Sequence, residues 1–127
     1  MILMNDEKLN DIVSDFSRFY ILTILYEGPV NGYSILRKFK KRVGKKISLG
    51  FVYPFLQQLE EKKLIFVKSE MKGDKEKKLY TLTEEGRALC SPLFERFADL
   101  FTNAIESTLV QVEQFQLKDG YMRWIDI

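Results

Sequence analysis

The stretch that decides the fold is residues 48–65, which read SLGFVYPFLQQLEEKKLI. Apolar residues recur in it at the spacing of one helix face: Val52, Phe55, Leu56 and Leu59. Ser48 is a suitable N-cap, because a short polar side chain accepts a hydrogen bond from a free amide of the first turn. The stretch therefore predicts an amphipathic helix over residues 48–63, with Pro54 distorting its first turns without breaking it.

Two further helices are predicted before this one. The first spans residues 6–26 and ends before Gly28 and Pro29, since glycine supplies a left-handed turn and proline cannot continue a helix. The second spans residues 32–42 and stops near Gly44. Their predicted apolar faces are Ile12, Phe16, Phe19, Leu22 and Leu25 in the first helix and Ile35, Leu36, Phe39 and Val43 in the second.

Two short runs after the third helix alternate apolar and polar side chains, as strands do. They are residues 64–71 and 77–82. The five residues between them, 72–76, include Gly73 and Asp74 as turn formers. We therefore predict a β-hairpin with a charged tip, whose basic residues are Lys72, Lys75, Lys77 and Lys78.

The last predicted element is a long helix that Thr83 caps and that continues to about residue 117. Pro92 either bends this helix or divides it. Its apolar face is too long and too wide for a helix that packs only on residues 1–90, which favours burial between two subunits over an ordinary core helix. The residues expected at that interface are Leu93, Phe97, Leu100, Phe101, Ala104, Ile105 and Val112.

Charge is distributed unevenly along the chain. Residues 34–78 contain 14 basic and five acidic residues, whereas residues 91–127 contain three basic and six acidic ones. A basic centre with an acidic tail indicates that one part of the molecule binds a polyanion. The alternative is a solvated, lysine-rich face with no such partner.

Composition excludes several classes of protein. The chain of 127 residues has no histidine, which excludes mixed Cys/His zinc sites and histidine-based catalysis, and the single Cys90 cannot form an intrachain disulfide. Cys90 is expected to be a small core residue, and we expect neither an enzyme nor a cofactor. The longest apolar run, residues 19–26, is far shorter than the roughly 20 residues of a membrane span. A cytoplasmic protein without a membrane partner is therefore expected.

The predicted order is helix, helix, helix, hairpin, helix, which is the plan of a winged helix-turn-helix. The fold class is α+β and mostly α, with residues 1–90 as the DNA-binding domain and residues 91–127 as a dimerisation helix and tail. The third helix suits a major groove, and basic residues of the second helix and the wing neutralise phosphates. The predicted DNA contacts are Tyr33, Arg37, Lys38, Lys41, Ser48, Leu49, Gly50, Tyr53, Gln57, Lys72, Lys75 and Lys77.

Several of these residues have an alternative role. Tyr53 faces either the groove or the core, although its neighbours already fill the buried face of the helix. Gln57 either reads a base edge or is solvated. Tyr33 contacts phosphate through its hydroxyl group or packs inside the domain, and Ser48 is more certainly a cap than a base contact.

Three motifs resemble the phenolic acid decarboxylase regulator (PadR) family, and together they cover residues 16–90. The first places Gly-Pro at the end of one helix and Gly-Tyr at the start of the next, here residues 28–29 and 32–33. The second is similar to the family's Gly-x-x-Tyr-Pro-x-Leu-x-x-Leu-Glu at residues 50–60. The third, residues 78–86, is similar to the family's second wing strand and following helix start.

The resemblance implies a homodimeric transcriptional regulator, usually a repressor, that binds a palindromic operator in double-stranded DNA through the third helix and the wing. It also implies dimerisation through the C-terminal helix packed on the first helix, which adds Ile12 and Phe16 to the interface. The sequence departs from the family at Lys63, where glycine is common. It also has lysines where the wing often has arginine, which retains phosphate contact but puts base readout by the wing in doubt.

The tail and the overall role each leave an alternative open. Trp124 either packs on the dimer interface or lines a pocket for a small aromatic effector, since related regulators sense flat aromatic compounds with aromatic side chains. The alternative function is a winged-helix module that docks proteins and has no operator. The lysine-rich wing and second helix favour DNA over that alternative.

Overall fold

The computed structural model describes the backbone of residues 6–116 and the side chains of residues 7–108. The predicted order of elements is confirmed, and with it a mostly helical α+β architecture. The elements are α1 (Asp6–Glu27), α2 (Gly32–Val43), α3 (Leu49–Glu61), β1 (Ile65–Lys72), β2 (Lys75–Leu82) and α4 (Glu84–Gln116).

Polar caps and a glycine define the ends of the two central helices. The Asn31 side chain accepts a hydrogen bond from the amide of Ser34 at 2.8 Å and begins α2. Gly44 ends that helix in the left-handed conformation, with φ of 82°. Ser48 caps α3 by accepting from the Phe51 amide at 3.1 Å. The predicted roles of Gly44 and Ser48 are therefore confirmed, and α3 runs on through Pro54.

The hairpin is longer than predicted. Lys72 pairs directly with Lys75, so the turn contains only Gly73 and Asp74, and the prediction of a five-residue loop over 72–76 is wrong. Gly73 has φ of 63°, and a glycine at the first turn position lets a two-residue turn match the twist of both strands. The ladder of backbone hydrogen bonds therefore continues to the tip of the wing.

The connection between α1 and α2 adds a one-residue β-bridge to the hairpin. Val30 and Tyr80 exchange two backbone hydrogen bonds, at 3.1 Å and 2.8 Å. This bridge ties the start of α2 to the middle of β2. The wing is thus fixed to the helical part of the domain at two places, the α1–α2 connection and the end of α3.

The core lies under the C-terminal half of α1, where Ile21, Ile24 and Leu25 are fully buried. The predicted apolar face of α1 was wrong in phase, because Leu22 is only half-buried. Residues 19–26 are apolar at every position except one, and such a run gives no periodicity from which the buried side can be read. Val43, on the predicted apolar face of α2, is also exposed, and so are Ile12 and Phe16, which were predicted for the dimer interface.

A residue in the left-handed conformation joins the end of α3 to the wing. Lys63 has φ of 59°, and the amide of Leu64 reaches back to the carbonyl of Leu59 at 2.9 Å to close the helix end. The Thr83 hydroxyl donates to the Lys63 carbonyl at 2.8 Å and accepts from the Gly86 amide at 3.0 Å. One threonine therefore fixes the end of α3 and, as predicted, caps α4.

The backbone divides into two compact units, Met1–Cys90 and Ser91–Ile127. α4 is continuous through Pro92, so this proline does not divide it. In the second unit, the rings of Phe97 and Phe101 stack with centroids 5.7 Å apart. None of the helices among the described residues has the length and apolar character needed to cross a membrane.

Candidate nucleic-acid interface

A cleft of about 490 Å³ opens between the start of α2 and the wing. A second cleft of about 300 Å³ lies between α3 and the wing, and the two share Tyr53, Lys78 and Tyr80. The first cleft is lined by Asn31, Gly32, Tyr33, Tyr53, Glu76, Lys77, Lys78 and Tyr80. The two helices of the helix-turn-helix and the inner face of the wing thus meet around one tyrosine, Tyr53.

Gly32 leaves room for the Tyr53 ring in its present position. A Cβ atom at residue 32 would lie 2.8 Å from the Tyr53 hydroxyl and 3.1 Å from two carbon atoms of its ring. The ring is 40% exposed, so Tyr53 lies on the open side of α3 and not in the core. Its hydroxyl group is therefore held beside the first turn of α2, where backbone amides without an intrahelical partner are found.

Tyr80 supports Tyr53 from the wing. The two ring centroids are 6.5 Å apart, and Tyr80 is nearly buried. Burial raises the pKa of the Tyr80 phenol, with smaller contributions from Tyr53 and Glu60. Tyr80 therefore stays neutral and supplies an uncharged, rigid wall to both clefts.

The predicted contacts of α3 lie mainly on its exposed side. Ser48, Gly50 and Gln57 are exposed, while Leu49 is half-buried. The Gln57 side-chain amide donates to the Glu61 carboxylate at 3.5 Å, a long bond that leaves its carbonyl oxygen as an acceptor. This exposed side carries neutral polar groups in its first two turns and acidic residues only at its end.

The predicted contacts of α2 divide into two groups. Tyr33 is 61% exposed, so it does not pack inside the domain. Arg37 is exposed and donates to the Ser34 hydroxyl at 2.9 Å, and Lys41 is exposed as well. Lys38 differs, because its ammonium group lies 3.4 Å from the Glu27 carboxylate at the end of α1.

The register of the wing separates its lysines by face. Directly paired residues share a face and successive residues alternate, so Lys72, Lys75 and Lys77 lie on one face of the hairpin. Lys78 lies on the other face, together with Tyr80, and lines both clefts. The wing therefore presents lysines on both sides of its tip.

Sequence reasoning gave Gly32 and Lys78 too little weight. In the sequence, Gly32 stands out only as part of a motif. The signal for its role is a glycine directly after an N-cap residue, together with a large aromatic residue in the next helix. Lys78 was grouped with the other wing lysines, although its alternation with Tyr80 and Leu82 places it on the inner face. A strand register, which the turn length sets, is needed to see this.

The remaining predictions concern residues outside this interface. Cys90 is buried, as predicted, and burial raises the pKa of its thiol, so a reactive thiolate is disfavoured. The predicted interface residues of α1 and α4 are exposed or half-buried: Ile12, Phe16, Leu93, Phe97, Leu100, Phe101, Ala104 and Ile105. The side chain of Val112 and all of Trp124 lie outside the described residues.

Three helices, a bridging residue that pairs with β2, and a two-stranded wing define a winged helix-turn-helix protein. Residues 21–91 match the model of the transcriptional regulator PadR-like family. The chain belongs to this family of transcriptional regulators, which confirms the resemblance seen in the sequence.

One relative shows how far the sequence similarity extends. The negative transcriptional regulator PadR of Bacillus subtilis is 36% identical over 73 residues, which are 55% of this chain and 40% of that protein. Its structure in complex with operator DNA is similar with a TM-score of 0.56 and 31% identity, over 61% of this chain and 44% of that one. This chain thus covers less than half the length of that regulator.

A likeness over a larger part of the chain comes from a PadR-like transcriptional regulator of Bacillus cereus. That structure matches with a TM-score of 0.66 and 22% identity, over 78% of this chain and 96% of the other. At this identity the likeness concerns the fold alone.

Proposed function

We propose that this protein is a homodimeric repressor that binds a palindromic operator through α3 and the wing. The observation that carries the proposal is the convergence of three exposed surfaces around Tyr53: the open side of α3, the first turn of α2 and the inner face of the wing. Support also comes from the B. subtilis PadR structure with operator DNA, a 31% identical relative.

The chemistry of these surfaces matches DNA in two ways. The exposed side of α3 carries Tyr53 and Gln57, neutral side chains that can donate and accept hydrogen bonds at base edges in a major groove. Around it, cations are available for phosphates on α2 and on the wing, and phosphate contacts supply most of the affinity of such proteins. These cations are Arg37, Lys41, Lys72, Lys75, Lys77 and Lys78.

Exposed apolar side chains on two helices support the homodimer. On α1, four large apolar residues are 42–55% exposed: Leu9, Ile12, Val13 and Phe16. On α4, Leu100 is 66% and Phe101 is 49% exposed. Apolar surface of this kind is typical of an interface, and a two-fold dimer would bring two α3 helices to half-sites about 34–36 Å apart.

The effector and the location of the protein rest on other grounds. A pocket for a small aromatic effector at Trp124 lies outside the described residues and rests on the family resemblance alone. A cytoplasmic location follows from the proposed contact with operator DNA. The protein-docking alternative receives no separate support from the arrangement of the clefts.

The first experiment measures binding of the purified protein to its own upstream DNA, across a salt series and against nonspecific competitor, together with the mass of the free protein in solution. We expect the mass of a dimer and complexes that survive competitor at physiological salt. Affinity that does not fall as salt rises contradicts the electrostatic contacts. An absence of binding even at low salt would overturn the DNA proposal and favour protein docking.

A further inference from the structure

Glu27, the last residue of α1, holds two cations of α2. The Arg42 guanidinium donates to both oxygens of the Glu27 carboxylate, one of them at 3.0 Å from Nη2. The Lys38 ammonium group donates to the same Oε1 oxygen at 3.4 Å. The Arg42 contact is a fork-to-fork pair, which is a strong geometry for a carboxylate, and the Lys38 contact is longer and weaker. These contacts hold the pKa of Glu27 at about 2, well below its usual value.

The two held cations lie on one border of α2, and the other cations of the helix lie beside them. Lys38 and Arg42 are four residues apart and therefore share a helix face. Arg37 and Lys41, also four residues apart, lie on the adjacent face and have no ion pair among the described residues. The basic surface of α2 is thus divided between cations already paired and cations available to a phosphate.

We propose that Glu27 acts as an internal substitute for phosphate that limits nonspecific binding of DNA, and so raises the specificity of the regulator. It rests on the proposed DNA-binding function. By holding Lys38 and Arg42, Glu27 withdraws two cations from the surface that faces the DNA backbone. The first helix of a helix-turn-helix pair crosses that backbone, so released side chains of α2 would be within reach of it.

Because the Glu27 cluster is exposed, it can affect DNA binding as well as the packing of the domain. The side chains of Glu27, Lys38 and Arg42 are 41%, 40% and 38% exposed, so a phosphate can approach both cations. An exposed ion pair of this kind contributes little to folding, so its effect on stability is small. Each cation that neutralises a phosphate, in contrast, adds a released counterion to binding of any DNA sequence.

The test compares Glu27→Gln with the wild-type protein on a random-sequence duplex across a salt series. The released cations should steepen the slope of log affinity against log salt by about 1 to 2 and raise affinity severalfold at moderate salt. The lower bound applies because Tyr20 also faces the Arg42 guanidinium. Glu95→Gln is the matched control, since it removes one negative charge at an exposed position with no ion pair among the described residues.

A second pair of variants tests the same idea without removing Glu27. Lys38→Gln combined with Arg42→Gln should lower the affinity for random DNA less in the wild-type protein than in the Glu27→Gln protein, because Glu27 already engages both cations. In the Glu27→Gln protein the same two changes should abolish the gain. An unchanged salt slope in Glu27→Gln, or an equal loss on changing Lys38 and Arg42 in the wild-type and Glu27→Gln proteins, would overturn the proposal.

These outcomes are separate from those of the proposed function. Binding to random-sequence DNA depends only on the available cations, so the salt slopes remain informative if the upstream fragment holds no operator. If the wild-type protein binds the upstream fragment no better than random DNA, the repressor proposal is contradicted. The comparison of Glu27→Gln with Glu95→Gln would still decide the role of Glu27.

Discussion

The basic surfaces of α2 and of the wing carry similar numbers of cations but hold them differently. On α2, Lys38 and Arg42 are paired with Glu27, which lies 11 and 15 positions before them in the chain. On the wing, Lys72, Lys75 and Lys77 have no ion pair among the described residues. Equal charge in the sequence therefore does not mean equal charge available to DNA.

The difference has a geometric origin. The end of α1 lies beside one border of α2, so an acid at that end can reach two cations four residues apart. The wing extends to a two-residue turn, and its paired strands place lysines opposite one another. The wing acid Glu76 instead accepts a hydrogen bond from the Ser69 hydroxyl at 2.6 Å. Glu70 lies directly opposite Lys77, but no wing lysine forms an ion pair among the described residues, so the wing lysines are available to a partner.

The largest expected effect comes from removing the wing charge. Changing Lys72, Lys75 and Lys77 together to alanine should make the salt dependence of DNA binding shallower by about 2 to 3 in slope and lower affinity at least tenfold, since up to three phosphate contacts are lost. The mass of the dimer should not change. Lys38→Gln with Arg42→Gln is the comparison. An equal loss from both sets would remove the distinction between the two surfaces.

The contact between α2 and α3 at Gly32 and Tyr53 should be the next most sensitive. Gly32→Ala places a Cβ atom 2.8 Å from the Tyr53 hydroxyl, so Tyr53 has to move. The atoms it meets are the far end of a side chain that is 40% exposed, so the ring can turn aside at a cost below about 1 kcal/mol, and the main effect should be a fall in operator affinity. Thermal unfolding and DNA binding measure the two effects. Tyr53→Phe, which keeps the ring, should retain the stability; unchanged operator affinity in Gly32→Ala would show that the position of the ring does not matter for DNA binding.

A change at Lys63, outside both surfaces, separates an effect on stability from the effect of removing a charge. Lys63 is a non-glycine residue with φ of 59°, a conformation that costs an L-residue roughly 1–2 kcal/mol, whereas glycine adopts it freely. Allowing for the greater entropy of glycine in the unfolded chain, Lys63→Gly should stabilise the protein by about 0.5–1 kcal/mol. Denaturant unfolding measures this gain.

Lys62 provides the control for that prediction. It has φ of −84°, so Lys62→Gly should bring no gain while removing the same charge from a neighbouring position. DNA affinity should be similar in both variants. A loss of affinity confined to Lys63→Gly would bring Lys63 into the DNA-binding surface.

The smallest expected effect is on the dependence of stability on pH. The pKa of Glu27 is lowered from 4.5 to about 2 in the folded protein, chiefly by the hydrogen bonds from Arg42. The stabilisation is therefore present above the unfolded pKa and is lost as pH falls through 4.5 towards 2. Because the cluster is exposed, we expect less than about 1 kcal/mol. Urea unfolding between pH 6 and pH 2 should show a loss in the wild-type protein that Glu27→Gln lacks; parallel curves would contradict the pairing.

Local signals in the sequence were sufficient to predict much of the fold. Ser48 and Gly44 mark helix ends through hydrogen bonding and backbone conformation, which depend on neighbours in the chain. The phase of α1 was not predictable in this way, because residues 19–26 are apolar nearly throughout. The turn of the wing was also too long in the prediction, since charged residues at 72 and 75–76 pair as well as apolar ones do when Gly73 permits a tight turn.

The sequence by itself determined the order of the elements, their capped ends and the family to which the protein belongs. These features follow from periodicity, turn residues and motifs, all of which act over a few positions of the chain. Only the tertiary structure decided that Glu27 holds Lys38 and Arg42, that the Tyr53 ring lies against Gly32, and that Lys78 lines both clefts while Lys77 lines only the first. Each of these depends on which helix crosses which and on strand register, and side chains distant in sequence meet only once the chain has folded.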